Sequence, residues 1–278
     1  MASAEAVADT LAHQENIGDW IQHHITNQPE WNVFEYHVHL PHFEPVNILG
    51  MTIDFSITKH VLMIWFSAIF IILLFKFAYN LKKKVPSGMG AVLEIFILYV
   101  RDEIAIKSMG KKEGHYFTPL LVSFFFFVLM NNLMGLIPLF TAATGNINVT
   151  AALAIITFAS TQIYGIKVHG LLGYYKGLVP PGVPILLWPL MFVIELMGLI
   201  AKHVALTIRL FANMVAGHVS LFAFLGLTII LKTIYVSPAS VGFAIFIYFI
   251  EILVAFIQAY IFTLLSAIFI GMSLSEGH

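Results

Sequence analysis

A chain of 278 residues that is 59% hydrophobic and only 10% charged is not a soluble globular protein, in which about a quarter of residues are charged. Its formal net charge of −1 offers no basic footprint for nucleic acid, and the lack of cysteine excludes disulfide frameworks, thiolate metal sites and thiol nucleophiles. The composition predicts an integral protein of the lipid bilayer, and the acidic opening MASAEAVADT, without an apolar core, does not read as a cleavable signal peptide.

Residues 1–58 are polar, with acids at Glu5, Asp9, Glu15, Asp19, Glu30, Glu35, Glu44 and Asp54, and Lys59 is the first basic residue. We read 1–58 as an extracytoplasmic segment and 59–278 as a membrane domain. Ala6 to Ile25 has the pattern of a short amphipathic helix. Trp31 to Thr58 alternates apolar and polar positions (Val33, Phe34, Tyr36, Val38, Leu40), which predicts a hairpin of strands. His37, His39 and His42 resemble a metal-ligand cluster; the plainer reading is a strand with histidines on its wet face, and no metal or cofactor is expected.

Val61–Tyr79 is the first segment long enough to span a membrane, with Lys76 close enough to its end to snorkel. Lys82, Lys83, Lys84, Arg101, Lys107, Lys111 and Lys112 follow, so the positive-inside rule puts this stretch in the cytoplasm and the N-terminus outside. Inside it, Gly88 to Met109 sets Leu93, Phe96, Ile97, Val100 and Ile104 against Glu94, Arg101, Asp102 and Lys107, the pattern of a helix lying along the membrane surface. Phe117–Phe140 is the second span. Its run Phe124–Phe127 reads as lipid-facing or packing surface, and Asn131, Asn132, Gly135 and Pro138 form a polar patch. Asn132 there is either interhelical glue or the lining of a pathway.

The turn TAATGNIN reverses the chain into a third span, Val149–Ile166, and the glycine- and proline-rich Lys167–Pro184 reads as a cytoplasmic loop. The apolar run from Ile185 to Leu231 amounts to roughly 70 Å of helix, against a hydrocarbon core of about 30 Å. It must tilt, bend (Gly217 and Gly226 are candidates) or divide. Lys232–Ser240 is an outer turn, and Val241–Met272 the last helix. The expected fold is an all-α integral membrane protein. It has five transmembrane helices plus one interfacial amphipathic helix, the last two long and steeply tilted as a hairpin over 185–272, with a cytoplasmic C-terminus. No internal repeat is present.

Glu195 to His218, ELMGLIAKHVALTIRLFANMVAGH, is the unusual stretch, because it carries Glu195, Lys202, His203, Arg209, Asn213 and His218 within an apolar run. A charge at membrane depth costs about 2.5–3.5 kcal/mol on insertion scales, so this set calls for a role. Glu195, Lys202 and Arg209 recur every seven residues and Asn213 follows four later, so they share one helix face. Leu199, Ile200, Leu206, Ile208, Leu210 and Phe211 are opposite. Glu251 and Gln258, seven apart, share a face of the last helix, and the hairpin can bring His218 level with Glu251. A histidine and a carboxylate in a hydrated cleft can pass protons. Arg209 cannot, since it stays protonated; its work is electrostatic. Plainer readings stand beside these: Lys202 snorkels, His203 is a core histidine off the stripe, Gln258 is glue, and Arg209 forms a structural ion pair with Glu251.

RLFANMVAGH (Arg209–His218) resembles the RLFGNM-type signature of subunit a of the F-type ATP synthases. NNLMGLIP (Asn131–Pro138), GNINVTAALA (Gly145–Ala154), Glu195 fourteen residues before the arginine, and AFIQAYIFTLL (Ala255–Leu265) agree with that family. The similarity runs from Lys59 to the C-terminus, and the N-terminal segment shares no motif. The resemblance implies a non-catalytic, ion-translocating stator subunit facing a rotating ring of c subunits. Peripheral-stalk b subunits and, indirectly, the F1 sector would be partners in a bacterial inner membrane. It implies that Arg209 faces the ring carboxylate and blocks leakage between two offset half-channels, with Gln258 beside it. Asn213, His218 and Glu251 would line the outer half-channel, and Glu195 would lie on the inward exit side.

Three departures matter. Some members have an acid where His218 stands and a histidine where Glu251 stands, others a carboxylate at the Gly135 position, and Ala212 replaces the common glycine. Two other readings compete. A self-contained proton- or sodium-coupled secondary transporter is expected to show inverted repeats and broken helices. A membrane metalloenzyme would have to use His203 and His218, which are fifteen residues apart.

Overall fold

The computed structural model describes residues 30–33, 36–39, 46–48, 51–53, 56–78, 86–137, 140–180, 182–230 and 237–275. Two short antiparallel hairpins come first, β1 (Glu30–Val33) with β2 (Tyr36–His39) and β3 (Val46–Ile48) with β4 (Met51–Ile53). The alternation in this stretch thus yields two hairpins rather than one, with His37 and His39 at alternate positions of β2. The region expected to hold an amphipathic helix, and His42, lie outside the described residues.

Eight helices follow in the described chain: α1 (Lys59–Ala78), α2 (Met89–Tyr99), α3 (Ile106–Met109), α4 (Lys111–Gly135), α5 (Ile147–His169), α6 (Leu171–Gly177), α7 (Trp188–Ile230) and α8 (Ser237–Leu274). Five of them, α1, α4, α5, α7 and α8, are long and apolar enough to cross a membrane. This is the five-span helical architecture expected. A π-helical turn, Val100–Ala105, joins α2 to α3. The 43 residues of α7 are unbroken, so the long apolar run does not divide. At about 1.5 Å per residue it is roughly 65 Å long, and a helix of that length stays within the bilayer only by tilting or curving.

The described chain separates into two compact units. The first comprises the described parts of Met1–Ser67, Asn131–Asn146 and Phe211–Ala255. Side-chain hydrogen bonds organise it: Asn131 Nδ2 donates to Ser67 Oγ at 3.1 Å, and Thr144 Oγ1 donates to Asn132 Oδ1 at 2.7 Å. The turn after α4 is therefore an interior element, with Ala142, Ala143 and Thr144 fully buried. Gly135 makes this possible, because a Cβ there would meet Ala142 Cα at 3.0 Å and Met214 Cε at 3.1 Å. Ser240 Oγ on α8 donates to the Phe224 carbonyl of α7, and the Phe224 and Phe243 rings stack at 5.5 Å.

The second unit comprises the described parts of Ala68–Met130, Ile147–Leu210 and Phe256–His278. Its core is aromatic. Phe124, Phe125 and Phe126 are buried, so most of the phenylalanine run is packing surface. Phe124 meets Phe262 edge-on at 5.5 Å, and Phe96 stacks on Phe125 at 5.8 Å and on Phe256 at 6.4 Å. Lipid tails are as apolar as these rings, so the contacts are favoured by close packing and not by escape from water. The π turn keeps Val100, Ile104 and Ala105 all buried while Arg101 pairs with its neighbour Asp102 at 2.7 Å.

Lys167–Pro184 is not all loop. Leu171–Gly177 is helical because Tyr174 anchors it: its ring lies against Gly165, and its hydroxyl accepts from Gln162 Nε2 at 3.1 Å. Glycine also sets how closely α8 approaches Ser108 just after the π turn. A Cβ on Gly271 would overlap the Ser108 carbonyl oxygen and stand 3.0 Å from its carbon. Backbone cannot swing aside as a side chain can, so Gly271→Ala is expected to cost about 1–3 kcal/mol. A lowered melting midpoint in detergent checks it.

Candidate functional site

On α7, His203, Leu206 and Leu210 form a buried line at i, i+3 and i+7. At about 100° per residue, Arg209 lies roughly 90° from the centre of that line, and it is exposed. Its nearest exposed neighbours on the helix surface are Lys202, Ala205, Ala212 and Asn213. The polar stripe thus runs along the edge of the packed face. The side expected to be apolar is packed only in part, with Leu206 and Leu210 buried and Ile200 and Ile208 exposed. Among the described residues Arg209, Glu195 and Lys202 enter no ion pair, the ion pairs there being Arg101–Asp102 and Lys107–Glu103. Glu195 is half-buried and Lys202 exposed. A permanently charged guanidinium is therefore presented outward from an otherwise largely apolar helix, with no ion-paired carboxylate among the described residues.

His203 is a core histidine. Its ring is held between Phe158 and Phe269, each 5.1 Å away. Gln258, on α8, is buried at 2% exposure, on the same inward line as Phe262, Ser266 and Ile270. An amide in that line is placed by its own helix register, and Thr157 bonds Ser266 at 3.2 Å further along.

In the first unit Glu251 of α8 reaches α7 at the residue preceding His218. The Glu251 carboxylate sits directly over the backbone of Gly217, the residue before His218. A Cβ on Gly217 would overlap Oε1 and lie 3.2 Å from Cδ. His218 Nε2 and Glu251 Oε2 are both buried atoms, and both residues are half-buried overall. Asn213 is exposed, and Asn132 is buried with Nδ2 unbonded among the described residues. Gly217 was legible only as a possible bend, yet α7 runs unbroken through it and the glycine seats an acid. Close approach to a side chain from another helix has no signal in a single sequence.

Gly217→Ala therefore separates stability from function. Alanine is better than glycine in a helix by about 1 kcal/mol, and the atom in its way is the end of a flexible carboxylate. The protein is expected to accumulate and melt normally while proton conduction through the assembled complex falls several-fold. Unchanged conduction would show that the position of the Glu251 carboxylate does not matter.

Residues 61–271 match the family model described as ATP synthase A chain. The chain is 49% identical over 229 residues to ATP synthase subunit a of Myxococcus xanthus, covering 81% of this chain and 75% of that protein. It is 44% identical over 260 residues to ATP synthase subunit a of Chloroherpeton thalassium, covering 91% and 76% respectively. Against ATP synthase subunit a of Pelodictyon phaeoclathratiforme it is 42% identical over 288 residues, covering 99% and 82%. With a family match across nearly the whole membrane domain and relatives this similar over most of both chains, the chain belongs to the ATP synthase subunit a family.

Proposed function

We propose that this chain is the membrane stator subunit of a rotary F-type ATP synthase. It provides two offset half-channels that carry protons to and from carboxylates on a ring of c subunits. Arg209 is the electrostatic barrier between them, so that ion flow turns the ring and drives ATP synthesis. The observation that carries this reading is Arg209 itself, exposed on a largely apolar helix long enough to cross the bilayer. A charge so placed is costly in lipid and becomes favourable opposite an acid on a partner. Ala201 and Ala205, both exposed on the same helix, let a partner helix come close.

Asn213, His218 and Glu251 line the outer half-channel in this reading, with Asn132 at its margin. Gln258 accompanies Arg209, and Glu195 and Lys202 lie toward the inward exit. The ring is the moving partner, b subunits anchor the chain, and F1 is coupled through them. Lysines and arginines concentrated after α1 support an extracytoplasmic N-terminus and a cytoplasmic C-terminus in a bacterial inner membrane.

Passive proton flux in vesicles tests the reading. The purified chain alone is expected to pass few protons, and addition of ring subunits to restore flux. A self-contained transporter would work unaided, and flux without the ring would overturn the proposal.

A further inference from the structure

His203 has a geometry that core packing does not call for. Its Nδ1 lies 2.9 Å from the Leu199 carbonyl oxygen, and a carbonyl can only accept, so Nδ1 carries the proton. In the neutral ring Nε2 is then a bare acceptor, and it is buried without a hydrogen-bond partner among the described residues. The residue as a whole is 7% exposed. It borders a cleft of about 50 Å³ lined also by Thr161, Tyr174, Lys202, Phe269 and Ser273. Water needs about 10–15 Å³ per molecule by this measure, so roughly three fit. A second cleft of about 50 Å³ shares Tyr174, Met272 and Ser273 with the first and continues to His169 and Ser275. The two run on from the Leu199–His203 turn of α7 to the ends of α5 and α8, all within the second unit, with Thr161, Lys202, Tyr174, Ser273, His169 and Ser275 as polar groups along otherwise apolar walls.

We infer that His203 is a proton-relaying residue of the inward passage, exchanging protons through Nε2 with water held in these adjoining clefts. This rests on the stator reading above. His203 is six residues before Arg209, about 9 Å along the helix on the side nearer the cytoplasmic loop. A proton released on that side of the arginine is taken up at Nε2, making the imidazolium, and leaves from Nε2 to the next water. The ring returns to its starting tautomer because the Leu199 carbonyl keeps the Nδ1 proton. Around the relay α5 contributes Thr161 and Phe158, α6 Tyr174, α7 Lys202, and α8 Phe269, Met272 and Ser273. Among these described groups Lys202 is the charged one, and Tyr174 the other that can titrate. The route is distinct from the Glu195 stripe, since His203 faces inward and Glu195 lies on the outer edge of the packed face.

The test uses inverted membrane vesicles holding the whole complex stripped of F1, with proton conduction followed as the pH on the cytoplasmic side is varied. His203→Gln keeps the ring's polarity and bulk but cannot titrate. It is expected to slow conduction about tenfold and to flatten its pH dependence between about pH 5 and 8. Conduction with an unaltered pH profile overturns the relay. Because the chain has no cysteine, Ser273→Cys gives a second measurement that does not depend on the His203 variant assembling. A water-soluble thiol reagent is expected to label it from the cytoplasmic side and inhibit conduction; no labelling shows the cleft to be dry and ends the proposal. Arg209→Ala in vesicles that retain F1 tests the stator reading separately: coupled ATP synthesis is expected to disappear whatever His203 does, and synthesis at the unmodified level overturns that reading.

Discussion

Arg209→Ala is expected to reduce coupled ATP synthesis by at least about 100-fold while leaving the protein folded. The side chain is exposed and enters no ion pair among the described residues, so its removal breaks no contact on which the fold depends. Deleting a charge from an apolar helix face lowers the cost of holding that helix in lipid. The loss is functional because a stator works only if ions cannot pass directly between its two aqueous paths. The membrane potential supplies about 2.3 kcal/mol per charge for each 100 mV, and a direct leak dissipates this without turning the ring. Passive proton conductance should therefore rise, or stay measurable, as synthesis disappears. Arg209→Lys sharpens the test. An ammonium dehydrated in this setting can release its proton and lacks the planar fork that pairs with a carboxylate, so it should rescue little. Coupled synthesis at the unmodified level in Arg209→Ala, with normal amounts of complex, would remove the basis of the functional reading.

The membrane architecture was legible because its causes are local. A span needs a long apolar run and a cytoplasmic loop needs lysines, and α1, α4, α5, α7 and α8 fall within a few residues of the runs that predicted them. What escaped the sequence depends on the second partner in each contact. Hydrophobicity could not separate Leu206 and Leu210, which are buried, from Ile200 and Ile208, which are exposed, because lipid and protein interior make the same demand of a side chain. The helix Leu171–Gly177 was hidden by its glycines, since the Gly165 surface that receives Tyr174 is on another helix. His203 read correctly as a core residue off the polar stripe, but its cleft is assembled from four helices and has no sequence signal. Family likeness supplied the roles expected of Arg209 and Gln258; their differing exposure, one outward and one buried, came only from the fold.

Glu251→Gln is expected to lower proton-driven synthesis by about 10–100-fold, and the exchange His218→Glu with Glu251→His to recover much of the loss. Glutamine has the shape of the native acid, so the helix packing around Gly217 is kept and only proton exchange is removed. The carboxylate lies over Gly217, next in sequence to His218, with Oε2 unbonded among the described residues. An unbonded buried carboxylate oxygen calls for an explanation beyond packing, and proton exchange is the one this variant tests. In the exchanged protein one acid and one histidine remain at the two positions. If the site requires the pair and not its order, the double variant exceeds both His218→Glu and Glu251→His. Complex content measured in the same membranes separates conduction from assembly. A double variant no better than its single parents, at equal complex content, would mean that the two residues act at separate points and that the close approach of Glu251 to Gly217 is packing alone.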